Sequence, residues 1–206
     1  MGRPAFFSIS GLRALPILLA LCVCACHSIQ PVDTAPLDAA GMTYDSIQQV
    51  KALKITTPEV ASLAAARRAG LSDSNCIALM QIFRARSQPF DAGDTVAGLL
   101  QAGVGQDAVV ELAKLNQLGL GAGELEALRL AEFPDDIILE VARHHSENKP
   151  VLSGASLAQL KNSGLRESTL FELARRGVPD SDAATILAMR KHGAPDGEIL
   201  QRFTGS

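Results

Sequence analysis

The chain is expected to fold as an all-α stack of short helix hairpins, an α-solenoid, and two observations predict it. The first is that the sequence matches itself at a shift of 61 residues. Pro89 falls on Pro150, Gly93 on Gly154, Leu99 on Leu160 and Gly103 on Gly164, while Glu111-Leu112-Ala113 falls on Glu172-Leu173-Ala174. Pro134-Asp135 likewise meets Pro195-Asp196. The second is a shorter unit of about 30 residues inside this internal duplication, anchored on Gly70, Gly103, Glu132, Gly164 and Gly193.

Apolar residues sit around each anchor at helical spacing. Leu63, Val96, Leu125, Leu157 and Ile186 stand seven before it, and Leu71, Val104, Phe133, Leu165 and Ala194 one after. Ile77, Val110, Leu139, Phe171 and Leu200 stand seven after. Two amphipathic helices flanking a turn give this pattern. Glycine at the turn takes the left-handed conformation that ends a helix at little steric cost. A unit with one apolar face cannot bury it alone, so neighbours must stack.

In chain order, residues 45–53 read as the first helix, with Ile47 and Val50 repeating the apolar pattern. Later helix starts are marked by Ser72-Asp73, Pro134-Asp135, Pro179-Asp180 and Pro195-Asp196, which place an acid near the positive helix end. Basic residues gather at the opposite ends: Arg67-Arg68, Lys114, Arg129, Arg143, Arg175-Arg176 and Arg190-Lys191. They complement helix dipoles, or line up as a stripe for an anionic partner. Roughly ten or eleven helices of about three turns are expected, and no strand. Between Leu115 and Ala122 the self-match lapses, and Gly119 corresponds to Gly177 three positions out of step.

The N-terminus reads differently. Arg3 and Arg13 precede an uncharged run from Ala14 to Val23. At ~1.5 Å per helical residue the run covers about 15 Å, half of what a spanning helix needs. A charged start, a short apolar middle and small residues at the exit describe a removable export signal. Val23-Cys24-Ala25-Cys26 resembles the lipobox of bacterial lipoproteins, with Cys26 following the small Ala25 and Val23 at the −3 position. The resemblance implies cleavage before Cys26, a diacylglyceryl group on its thiol and a further acyl chain on its new amine. It also implies anchorage to a membrane, and His27 after Cys26 permits the periplasmic face of the outer membrane. Secretion without lipid is the competing reading. The expected organisation is a signal peptide over residues 1–25, a lipidated flexible tether over 26–43 carrying Pro31, Pro36 and Gly41, and a helical repeat domain over 44–206.

Composition narrows the function. Removing residues 1–25 takes away two arginines and no acid, leaving 17 basic against 22 acidic side chains, a balance with no global attraction for nucleic acid. Only Cys76 remains in the body, so no internal disulfide staples it. With no Trp and one Tyr, packing falls to Leu, Ile, Val and Ala.

Four features invite chemistry. Gly103-Val104-Gly105, echoed by Gly119-Leu120-Gly121, resembles the helix-hairpin-helix motif that grips nucleic-acid phosphates through backbone N–H groups. Asp107 stands where that motif usually carries a basic residue, so turn geometry is the preferred account. His144-His145 point about 100° apart and cannot readily share one ion, and Glu140 adds one ligand to His144 at most. His192 lies beside Lys191, which disfavours a cation. Cys76 occupies a slot held by Val109, Ile138, Leu170 and Ile199, that of a buried small hydrophobe. No catalytic residue, cofactor or metal is therefore expected. The expected function is a membrane-anchored, non-catalytic binding or scaffold module outside the cytoplasm, with a protein partner. An enzyme with a site in an inter-helix groove and an extracytoplasmic nucleic-acid binder are the alternatives.

Overall fold

Every regular element among the described residues is helical. The computed structural model describes residues 32–120 and 122–203; the predicted signal, the Val23–Ala25 motif and Cys26 lie outside them. The helices are α1 (Ala35–Ala39), α2 (Tyr44–Ala52), α3 (Thr57–Arg68), α4 (Asp73–Ala85), α5 (Gly93–Gln101) and α6 (Gln106–Lys114). They continue with α7 (Ala122–Leu130), α8 (Asp135–Ser146), α9 (Gly154–Asn162), α10 (Glu167–Arg175), α11 (Ala183–Lys191) and α12 (Asp196–Arg202). A 3-10 turn, Asp180–Asp182, leads into α11. None of them is long and apolar enough to cross a membrane.

One device makes the turns. The five predicted anchors all have positive φ: Gly70 (107°), Gly103 (86°), Glu132 (52°), Gly164 (94°) and Gly193 (83°). Next to each, the following residue donates its N–H five residues back, as Leu71 does to Ala66 O at 3.2 Å and Val104 to Leu99 O at 3.0 Å. That bond closes the helix end, and the donor's own side chain seals it: Leu71, Val104, Phe133 and Leu165 are buried. The connections from even to odd helices use the same conformation at Lys54, Ser87, Asn116, Asn148 and Gly177, four of them without glycine. Asn116 is the residue that stands 61 before Gly177, so Asn116 rather than Gly119 is the counterpart of Gly177. Helix starts keep this interval throughout: 93, 106, 122 and 135 recur at 154, 167, 183 and 196.

The hairpins stack into two layers in solenoid fashion. The even helices α2, α4, α6, α8, α10 and α12 pack successively along one layer. In the other, α1 packs on α3, α3 on α5, α7 on α9 and α9 on α11, and a single core of Leu, Ile, Val, Ala and three Phe runs between the layers. Phe90 and Phe133 are among its largest fully buried side chains.

The folded body starts earlier than the expected boundary at residue 44. Residues 35–39, assigned to the tether, form α1, with Leu37 fully buried and Met42 nearly so. The turn at Gly41 (φ 80°) repeats the hairpin device, with Met42 N–H donating to Leu37 O at 3.1 Å. A five-residue helix carries one buried leucine and no readable periodicity, which is why Pro36 and Gly41 read as a linker.

Candidate functional site

Parallel neighbours in each layer bring like helix ends together, and the charges there answer one another. At the N-terminal ends of the even helices, the first side chain of one helix accepts the N–H that precedes its neighbour. Asp73 Oδ2 takes Thr43 N–H at 2.9 Å, Gln106 Oε1 takes Ser72 N–H at 2.7 Å, Asp135 Oδ2 takes Gly105 N–H at 2.9 Å and Asp196 Oδ2 takes Arg166 N–H at 3.1 Å. Pro134 has no N–H to offer, and Glu167, next in the series, turns instead to Lys161 at 2.7 Å. Burial works against the charge on Asp73 and Asp196, but donors from Thr43, and from Thr169 and Arg166, hold both carboxyls below the usual range.

Cations do the converse at the other ends. Arg67 reaches Gly41 O at 2.9 Å, Lys161 reaches Ala131 O at 2.8 Å and Arg190 reaches Gly164 O at 2.7 Å, capping the ends of α1, α7 and α9, in each case the preceding helix of the same layer. Arg67, Arg129, Lys161 and Arg190 also pair with the acids Asp73, Asp135, Glu167 and Asp196 at 2.7–3.2 Å. In the α5–α6 hairpin Leu100 replaces the cation, and there Gln106 replaces the acid. At Arg67, Lys161 and Arg190 the cations are thus engaged within the chain, and the dipoles they complement include those of neighbouring helices.

The two layers differ in one place. At the start of α5, a Cβ on Gly93 would lie 2.0 Å from Ser62 O, and Gly93 N–H donates to Ser62 Oγ at 2.7 Å. At the start of α9, a Cβ on Gly154 would lie 2.6 Å from Glu124 O, and Gly154 N–H donates to Glu124 Oε1 at 2.6 Å. Glycine therefore lets α5 close on α3 and α9 on α7. Helices α7 and α11 begin instead with Ala122 and Ala183. Among the described residues no comparable packing joins α5 to α7, and a groove of about 520 Å³ lies there. Leu99, Leu118, Leu120, Leu125 and Leu130 line it, with Gly98 on one wall and Arg129 on the other. Leu130 is 78% exposed, and a Cβ on Gly98 would meet nothing within 4 Å. Arg129 donates to Phe133 O at 2.8 Å, yet its Nε is shut from water without an acceptor, and Asp135 Oδ1, 3.2 Å from Nη2, lacks a hydrogen-bonded donor.

A second cavity, about 530 Å³ and polar, lies beside the ends of α8, α10 and α12. His144, Lys149, Arg176, Asp182 and Arg202 line it, with Gly177 leaving room for the His144 ring. Arg176 is already engaged, with Glu172 at 2.8 Å and Leu200 O at 2.6 Å.

The predicted site candidates fall as follows. Gly103 turns the chain and the Gly105 N–H is taken by Asp135, so the backbone donor that resembled a phosphate grip already holds a carboxylate. His144 Nε2 lies 3.6 Å from Glu140 and His145 Nε2 lies 3.9 Å from Glu124, so the two rings face different acids. Among the described residues no three His, Cys, Asp or Glu side chains converge as a metal site. Cys76 is fully buried, and burial pushes its thiol up to about 12. The groove itself escaped sequence reading. Its signal is the Leu118-Gly119-Leu120 segment, where the self-match lapses and apolar residues stand in a connection that is Pro179-Asp180-Ser181 in the second half.

No protein-family model matches the chain, and no curated protein matches it either.

Proposed function

We propose that the protein is a lipid-anchored, non-catalytic binding module of the cell envelope, held at a membrane through Cys26 and engaging its ligand through the α5–α7 groove. The observation that carries the binding half is that groove: an aliphatic slot between α5 and α7, lined mainly by leucines. The Val23–Cys26 motif supports the anchor. Since α1 starts at Ala35, nine residues separate the folded body from Cys26 inclusive, a reach of at most about 30 Å. The module would therefore work close to the bilayer surface. The internal duplication fits the same reading, because repeated hairpins enlarge a surface rather than build a deep polar pocket.

Fractionation tests the anchor. The native chain should sediment with membranes, and its mature N-terminal peptide should have the mass of an acylated Cys26. Cys26→Ser should move it to the soluble fraction. An unmodified N-terminus with unchanged partitioning would remove the lipid claim.

A further inference from the structure

We infer that the α5–α7 groove is a binding site for a long-chain fatty acid, its hydrocarbon lying among the leucines and its carboxylate meeting Arg129. The inference deepens the reading of the groove as the binding surface and rests on it. Three observations point to this ligand class. The described lining is mainly aliphatic and carries no aromatic ring, so it offers a flexible chain dispersion contacts along its length without stacking. The volume falls within the ~300–1,000 Å³ range of small-molecule sites, which are apolar with a few placed polar groups. Among the described residues that line it, the one charged group is Arg129.

Arg129 differs from its counterparts in a way that matters for a carboxylate. Arg67 uses its Nε on Asp73 at 2.8 Å and Arg190 makes its own hydrogen bond to Asp196 at 3.2 Å. Arg129 lies 3.2 Å from Asp135 without hydrogen-bond geometry, and its Nε has no acceptor. A buried donor without an acceptor costs about 1–3 kcal/mol. A small rotation of the guanidinium toward the groove would satisfy it on a ligand oxygen, while Nη1 keeps Phe133 O.

The test is titration of the full-length chain, and of its Cys26→Ser form, with cis-parinaric acid and with its methyl ester, read by probe fluorescence. Saturable one-to-one binding of the acid to both forms is expected, with the ester about tenfold weaker. Gly98→Leu places a side chain into the open wall and should abolish binding; because leucine favours helix over glycine, circular dichroism should be unchanged. Arg129→Gln should bring acid and ester to the same affinity. Absence of saturable binding, or undiminished binding by Gly98→Leu, would overturn the inference. Binding by Cys26→Ser alone would assign the groove to the chain's own acyl group and overturn a free fatty acid as occupant. Self-association that Leu130→Glu abolishes, without probe uptake, would assign it to a second copy. Membrane partitioning is read separately, so the anchor can stand while this inference fails.

Discussion

The α3–α5 and α5–α7 junctions join the same kinds of helix in the same layer, yet one is closed and the other is a groove. At the first, Gly93 brings backbone against backbone and the Glu59–Arg84 pair locks the connection. Glu59 is 1% exposed and accepts from Arg84 Nη1 and Nη2 at 2.6 Å, from Phe90 N–H at 2.9 Å and from Thr56. Arg84 also holds Leu53 O at 2.8 Å, so one cation ties α2, α3 and the approach to α5 together. Among the described residues of the second junction neither device is found, and leucines of the connecting segment line the gap instead. The difference shows that a stack of similar hairpins acquires a groove where close packing is withheld, rather than where special residues are added.

The comparison breaks most sharply at Glu59. Burial pushes its carboxyl up, but the hydrogen bonds from Arg84, Phe90 and Thr56 outweigh that and hold it at about 2. Glu59→Ala leaves Arg84 without its partner and should cost about 3–5 kcal/mol in urea unfolding. The sign of the pH effect follows from a folded pKa below the ~4.3 of an unfolded Glu. This stabilisation is fully present above that value and is lost as pH falls through about 4 toward 2, an amount on the order of 3 kcal/mol. Acid titration of urea midpoints should show a steeper loss in the native chain than in Glu59→Ala, in which Asp73 and Asp196 still contribute. Equal slopes would mean that the pair does not govern this junction.

Next come the glycines. Gly93→Ala and Gly154→Ala drive a methyl into backbone carbonyls and should each destabilise by about 1–3 kcal/mol. Gly98→Ala, on the open wall, should instead stabilise by about 0.5–1 kcal/mol, because only the helix propensity changes. Thermal melts of the three variants side by side would expose an error in either junction, since the effects have opposite signs.

The smallest effect sharpens the account of the rungs. Leu100→Arg together with Gln106→Asp would install in the α5–α6 hairpin the pair that four other hairpins carry. A double-mutant cycle should give a coupling of about 0.2–1 kcal/mol, as partly exposed pairs do, and it should shrink in high salt. A coupling of zero would mean that the cation and acid positions are occupied independently.

Much of the fold was legible because its turns are made locally. Gly70, Gly103, Gly164 and Gly193 announce a left-handed residue, and even Glu132 was placed correctly by its apolar neighbours Leu125 and Phe133. Lys54, Ser87, Asn116 and Asn148 take the same conformation without a glycine to advertise it, so the second set of turns was not legible. Helix α1 was missed because five residues cannot show a period. The groove was least legible of all: of its leucines only Leu125 falls on a repeat position, and the sequence does not show that Leu118, Leu120 and Leu125 are buried beside a gap at which Leu130 stays exposed. The carbonyls that Arg67 and Arg190 reach, Gly41 O and Gly164 O, are similarly invisible in a linear chain, since they belong to neighbouring hairpins. Cys26, the one site residue that the sequence proposed, lies outside the described residues, and chemistry on the mature N-terminus decides it.

The openness of the α5–α7 junction is tested most directly by placing a thiol on its wall. Gly98→Cys in the native full-length chain, treated with a bulky maleimide and read peptide by peptide in a mass spectrometer, should label nearly as fast as a free thiol. Buried Cys76 in the same molecule serves as the sealed reference. An introduced thiol as slow to label as Cys76 would contradict the account, because it would mean that α5 and α7 close on one another as α3 and α5 do.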